Sequence, residues 1–404
     1  MNAVQHVFTR LWAELAPIGR CDAGGGYSRF AWSAEDLQLR AWFLAQARAR
    51  DLTVDTDRNG NQWAWWGTPA PGAVVTGSHL DSVPGGGAFD GPLGVVSAFL
   101  AVDDLRSRGV HPTRPLAVLN CVDEEGARFG TACLGSRLLT GVLDPEHARA
   151  LTDHDGITLA EAMAAAGADP TTLGRDEPAL AWIGTFIELH VEQGRALVDL
   201  GAPIGVASAI WPHGRWKCSF HGQGNHAGTT ALADRRDPML PFASTVLAAR
   251  DVAEQAGAVA TFGRVRIDPG GTNVIASAVH AWLDSRAPDE DTVAQVVKEI
   301  TALAEQAGQR HGVEVHVGAE SFSPIVTFQE ELRDELSVLL DGAPVLPTGA
   351  GHDAGVLAAC VPSAMLFVRN PTGISHHPAE HAELADCIAG VHALSRVLEH
   401  LVSR

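Results

Sequence analysis

Residues 73–109 read AVVTGSHLDSVPGGGAFDGPLGVVSAFLAVDDLRSRG. The apolar run that ends in GSHLDSV predicts a strand, and the glycine-rich GGGAFDGPLG predicts a loop. VVSAFLAVDDLRSRG then carries apolar residues at helical spacing, with Gly109 as its stop. Outward from this unit the pattern recurs. RPLAVLNCVDEEGARFG is a buried-looking strand with acidic residues at its end, and WIGTFIELHVEQG is another near residue 190. Upstream, Leu37 to Arg50 reads as a helix, and LTVDTDRNGNQWAWWG as a hairpin around an Asn-Gly turn. Strands that alternate with helices and carry polar residues past their ends predict an α/β fold. Its core is an open mixed sheet flanked by helices, binding its ligand at the carboxyl edge.

After Pro203-Ile204-Gly205 the pattern changes. A strand WKCSFHGQG, a helix from Pro238 to Gln255, strands ATFGRVRI and AVHAWLDSRA, a helix from Glu290 to Gly308 and a strand VEVHVG follow one another. The order β-α-β-β-α-β predicts an inserted α+β ferredoxin-like domain over 210–323. Residues 1–209 and 324–404 then form one discontinuous domain. Its last part holds a helix near 329–341, the loop TGAGHDAG, a strand PSAMLFV, the loop RNPTGISHHPAEHAE and a closing helix.

Composition narrows the ligand class. The 404 residues hold 29 Lys+Arg against 48 Asp+Glu, a formal net charge of −19, so the basic footprint that nucleic acid or an anionic membrane requires is missing. The hydrophobic fraction of 46% suits an ordinary globular core. Cysteines at 21, 121, 133, 218, 360 and 387 form no CxxC pair, which disfavours a thiolate zinc site and a disulfide framework. The amphipathic N-terminus lacks the pattern of a signal peptide, and the expected location is the cytoplasm.

Five segments place metal-ligand side chains at predicted strand ends. They are His79 with Asp81, Asp90, Glu124 with Glu125, His190, and His376. A single histidine after an apolar run is usually a packed or surface residue, but five converging segments point to a metal centre. Imidazole and carboxylate suit zinc, manganese, cobalt or nickel, and one carboxylate can bridge two ions. Asp90 is the candidate bridge. Asp81 lies two residues beyond His79 on the same face of an extended segment, where it can orient the imidazole through its second nitrogen. Glu124 and Glu125 are adjacent and point different ways, so one is expected to ligate and the other to move protons.

The segments GSHLDSVPGGGAFDGPLGV, VDEEGARFG, ELHVEQG, PIGVASAI, GNHAGTT, GAGHDAG and GISHHPAE together resemble, in order, the amidase/hydantoinase/carbamoylase branch of the dinuclear metallopeptidase and aminoacylase superfamily. The resemblance implies two divalent ions per subunit, zinc first, with manganese or cobalt as alternatives. It implies His79, His190 and Asp90 on one ion, with Glu125, His376 and Asp90 on the other. Glu124 is then the general acid/base. It also implies a lid that makes a homodimer, with His226 offered across the dimer to stabilise charge on a carbonyl oxygen. Asn273, Arg286, Gln193 and His352 become substrate contacts. Peptidase relatives usually carry a carboxylate where His190 stands, an exchange that marks the branch cleaving ureido groups.

The expected activity is hydrolysis of the ureido C–N bond of a small anionic substrate such as allantoate or an N-carbamoyl-L-amino acid, releasing carbon dioxide and ammonia. An aminoacylase or dipeptidase using the same ions is the alternative. A binding protein that has lost catalysis is the third reading.

Overall fold

The computed structural model describes residues 3–22 and 24–404, and the chain divides into two compact units: Met1–Ala209 with Thr327–Arg404, and Ile210–Val326. The first unit is built on a nine-stranded mixed sheet. At its centre lie four parallel strands, in the order Leu116–Cys121, Ala73–His79, Ile183–Val191 and Ser363–Val368. Three of the four are buried along their whole length, and the fourth is buried at all but one position, as expected of strands covered on both faces. Antiparallel strands Gln62–Trp66 and Ile204–Ile210 flank this centre. The predicted hairpin is present, with Thr53–Thr56 paired to Gln62–Trp66.

Because the four central strands run the same way, their carboxyl ends share one edge. His79 pairs with Cys121, two residues before Asp123, and His190 pairs with Phe367. Residues far apart in sequence therefore meet there without long loops. The helices Pro92–Ser107 and Leu384–Val402 bury Phe99, Leu100, Val391, Leu394 and Leu398 in the core that also takes Ile187 and Leu189 from the sheet.

The second unit has the predicted order of elements. Strands His213–His221, Val259–Asp268, Ala278–Arg286 and Glu314–Ser323 form an antiparallel sheet, and helices Met239–Ala256 and Glu290–His311 contribute to one core with it. The second of these helices runs to His311, one turn past the Gly308 read from sequence, because its polar last turn, QRH, gives no apolar periodicity. The segment between residues 134 and 182, for which the sequence analysis proposed no elements, holds four short helices: Leu134–Thr140, Pro145–Ala150, Leu159–Ala165 and Glu177–Trp182. Among the described residues no helix is long and apolar enough to cross a membrane.

The helix Pro92–Ser107 sits against the sheet through Gly94. A Cβ there would lie 2.3 Å from the Leu189 carbonyl oxygen and 2.7 Å from Ser78 Cβ. Only hydrogen fits, so the helix start is fixed against the strand end that carries His190. Gly94→Ala is predicted to lose about 1–3 kcal/mol through overpacking. The measurement is the urea unfolding midpoint, and an unchanged midpoint would show that the helix is not seated this way.

Candidate metal centre

His79 ends its strand fully buried, with Nδ1 3.3 Å from the Asp81 carbonyl oxygen and 3.4 Å from Asp81 Oδ1. Its N–H therefore belongs on Nδ1, which leaves the Nε2 lone pair facing Asp90 Oδ1 at 3.5 Å. His190 is set up the same way. Its Nδ1 donates to the Val191 carbonyl at 2.8 Å, and its Nε2 lies 3.2 Å from Asp90 Oδ1.

The other oxygen of Asp90 looks elsewhere. Oδ2 lies 3.4 Å from His376 Nε2, which in turn lies 3.4 Å from Glu125 Oε2. Two groups of potential ligand atoms result, His79–Asp90–His190 and Asp90–Glu125–His376, each with its atoms within 4.8 Å of one another. Nε2 of His79, Nε2 of His190 and Oε1 of Glu125 are buried with no hydrogen-bond partner. Unused lone pairs in a buried polar site are what a cation would satisfy, so the residues fit a pair of metal ions.

Asp81 organises more than His79. Its Oδ1 accepts the Glu124 N–H at 3.2 Å and its Oδ2 the Glu125 N–H at 3.0 Å. The backbone then turns at Asp123, a non-glycine residue at φ 53°, and His376 is held at φ 55°. Each such left-handed residue costs of order 1 kcal/mol, and both occur beside or on the ligand groups. Glu124 itself is buried, with Oε2 3.8 Å from His79 Nε2 and Oε1 accepting the Cys133 thiol at 3.4 Å.

The electrostatics set the acids apart. Burial pushes Glu124 well above the usual carboxyl range, against the pull of His79. Burial and the charge of Asp90 raise Glu125 to about 7. Burial acts upward on Asp90 as well, but the pull of the facing imidazoles of His190, His376 and His79 prevails and holds it well below the usual range. The hydrogen bond to Asp90 raises His376 to about 9. One carboxylate stays charged at the junction, and the acid beside it keeps a proton readily.

Gln193 is placed against this junction, its Nε2 donating to Asp90 Oδ2 at 2.8 Å and Ser375 Oγ at 3.1 Å and lying 3.2 Å from His376 Nε2. His352 is buried with both ring nitrogens unpartnered and its ring centre 4.5 Å from that of His190. Burial and then the charge of His190 hold it well below the ordinary imidazole pKa. His377 is exposed, its Nδ1 accepting the Ala379 N–H.

In the second unit, His226 is exposed on a two-residue strand, and its Nδ1 accepts the N–H groups of Gly228 at 3.0 Å and Thr229 at 3.2 Å. That puts the ring proton on Nε2, facing outward. Asn273 is exposed beside it, its carbonyl accepting the Ala227 N–H. Arg286 is half-buried, and its fork engages Asp284 through Nε at 2.8 Å and Nη2 at 3.1 Å.

Two acids escaped the sequence reading. Glu188, on the same strand face as His190, accepts the Ser78 hydroxyl at 2.8 Å and the Ala354 N–H at 2.9 Å, which places the loop bearing His352. Glu380 Oε1 accepts both the Phe89 and Asp90 N–H groups at 3.0 Å, which ties the Asp90 loop to the segment that follows His376. The period-2 pattern of ELHV carried a signal for the first. GISHHPAE contained the second, but only the fold shows its partners.

A model of the peptidase family M20/M25/M40 matches residues 75–400. The N-carbamoyl-L-amino acid amidohydrolase of Geobacillus stearothermophilus is 36% identical over 398 residues, covering 95% of this chain and 96% of the relative. The allantoate amidohydrolase of Escherichia coli is 33% identical over 396 residues, covering 94% of each chain. Among solved structures, an amidase of the hydantoinase/carbamoylase family from Burkholderia vietnamiensis superposes with a TM-score of 0.88 at 28% identity, covering 100% of this chain and 99% of that one.

Gly91 follows the shared carboxylate at φ 82°, and a Cβ there would lie 2.5 Å from the His79 ring. Gly91→Ala is predicted to push His79 off Asp90 and to lower the metal content of the purified protein, read by elemental analysis. Full metal occupancy in this variant would refute the geometry.

Proposed function

The chain belongs to peptidase family M20/M25/M40 and is a hydrolase acting on carbon–nitrogen bonds other than peptide bonds, and from that premise we propose that it cleaves the ureido bond of a small anionic N-carbamoyl compound. The observation that carries this reading is the meeting of two ligand groups at Asp90 with Glu124 beside the first. His79, His190 and Asp90 would hold one divalent ion, and Glu125, His376 and Asp90 the other. Zinc fits the mixed imidazole and carboxylate set, with manganese or cobalt as alternatives. Ions so bound polarise a carbonyl and acidify water. With Asp90 and Glu125 as the only anionic ligands the site keeps a positive balance, which suits an anionic substrate on a chain of net charge −19.

Glu124 takes the proton of the attacking water and returns it to the leaving nitrogen, a task that its place beside the first ligand group suits. Asp81 keeps Glu124, Glu125 and His79 in register through the three contacts described above. His226, offered from a second copy of the chain, presents its Nε2–H to the developing oxyanion. Arg286 and Asn273 take the substrate carboxylate. Asp284 holds the guanidinium of Arg286 through Nε and Nη2 and so fixes its orientation. Gln193 and His352, beside the ligand groups of the first unit, are further substrate contacts in this reading. Per turnover one water is consumed, and one amine, one carbon dioxide and one ammonia are released.

Allantoate and N-carbamoyl-L-amino acids, which the relatives' names specify, are the first substrates to offer, with N-acetyl amino acids and dipeptides in parallel. Ammonia release from the first set is expected. Free amine from the second set without ammonia would move the enzyme to an acyl-amide substrate, and silence throughout would favour a binding protein. Glu124→Gln should cut turnover by about 10²–10⁴-fold while metal content stays unchanged. Turnover near wild type would remove Glu124 from its role.

The homodimer implied by this reading is supported by the second unit. Leu240 and Leu247 on one helix, with Val265 and Ile267 on the edge strand, leave large apolar side chains exposed, with Leu247 at 69%. Leu247→Glu should yield monomers by light scattering, whereas a persistent dimer would place the interface elsewhere. The six cysteines are free thiols, in keeping with a cytoplasmic enzyme.

A further inference from the structure

The turn that carries His226 reads HAGTT over 226–230, and its residues are exposed or half-buried. Apart from the imidazole, its side chains offer only methyl groups, hydroxyls and a hydrogen, so no large apolar group anchors it. Polar contacts give it its shape. His226 Nδ1 accepts the Gly228 and Thr229 N–H groups, while the His226 carbonyl accepts the Thr230 hydroxyl at 2.8 Å and the Thr230 N–H at 3.2 Å. The direction of the ring is therefore set by the conformation of the turn.

Arg235 grips this turn from outside it. Its Nη2 donates to the Ala227 carbonyl at 2.7 Å, and its Nε donates to the Thr230 carbonyl at 3.1 Å. Those two carbonyls bracket Gly228 and Thr229, whose N–H groups hold the ring. A guanidinium presents its N–H groups in one plane at fixed angles, so two bonds from one fork fix the spacing of the two carbonyls. The fork has its own anchor, because the carbonyl of the next residue, Arg236, accepts the Gln223 N–H at 2.9 Å. Across the ribbon, His226 pairs with Val274, and the Ala227 N–H donates to the Asn273 carbonyl at 3.0 Å. Arg235 thus steadies a ribbon that bears both His226 and Asn273.

We propose that Arg235 is a positioning residue for the reaction and acts through His226, holding the turn in the one shape that aims the Nε2–H at the oxyanion. The inference rests on the reading of His226 given above, in which the imidazole serves the site of a second copy of the chain. An oxyanion donor acts where charge develops, so its misplacement lowers kcat and leaves KM nearly unchanged. Positive charge alone does not substitute for the fork. A lysine at 235 brings one nitrogen to two separate carbonyls and cannot set their spacing.

The test compares Arg235→Ala, Arg235→Lys, His226→Ala and the double variant Arg235→Ala/His226→Ala in the metal-replete enzyme. Arg235→Ala should lower kcat by about tenfold or more with KM and metal content near wild type, and Arg235→Lys should recover only part of the loss. In the His226→Ala background the same change should cost nothing further, because both variants remove one function. Amide hydrogen exchange over 226–230 should quicken in Arg235→Ala. A heterodimer of Arg235→Ala with Glu124→Gln, isolated through two different tags, should regain one working site, since the Glu124→Gln subunit lends an intact His226 turn to the other subunit's intact catalytic unit. Wild-type kcat in Arg235→Ala beside an impaired His226→Ala would overturn the proposal. So would a further loss in the double variant, or a heterodimer no more active than its parents, either of which would mark the arginine as merely structural. Wild-type turnover in His226→Ala would instead remove His226 from the reaction, and the role of Arg235 would fall with it.

Discussion

The first unit depends on one buried carboxylate whose two oxygens serve different neighbours. Asp90 can do this because its backbone and its side chain are held independently. Glu380 anchors the N–H groups of Phe89 and Asp90, while Gln193 braces Oδ2 from the strand end that carries His190. Gly91 then lets the chain leave without pressing on the His79 ring. An unpaired carboxylate in such a place would be costly to ionise. Here three imidazoles converge on it, and the charged form prevails over desolvation.

The same burial has the opposite result one residue-pair away. Glu124 and Glu125 lie close to each other and to Asp81 and Asp90, so burial and repulsion favour their protonated forms. Neighbouring acids are thus set apart without any change of residue type. Asp90 favours its charged form between two groups, whereas Glu124 favours its protonated one. Asp81 makes the separation possible because it spends both oxygens on the backbone that carries the pair and on the far nitrogen of His79.

Much of this was legible before the fold was known. Carboxyl ends of parallel strands lie on one edge, so a histidine or acid just past each apolar run points to that edge, and His79, the pair Glu124 and Glu125, His190 and His376 stand out in this way, while the choice between the two glutamates came from the family resemblance. Glu188 and Glu380 were not, because their meaning lies in register. Glu188 matters through Ser78 and Ala354, which lie 110 and 166 residues away in sequence. Glu380 matters through backbone N–H groups, which no side-chain pattern marks. The four short helices between residues 134 and 182 are each no longer than two turns, too brief for periodicity to separate them from loop.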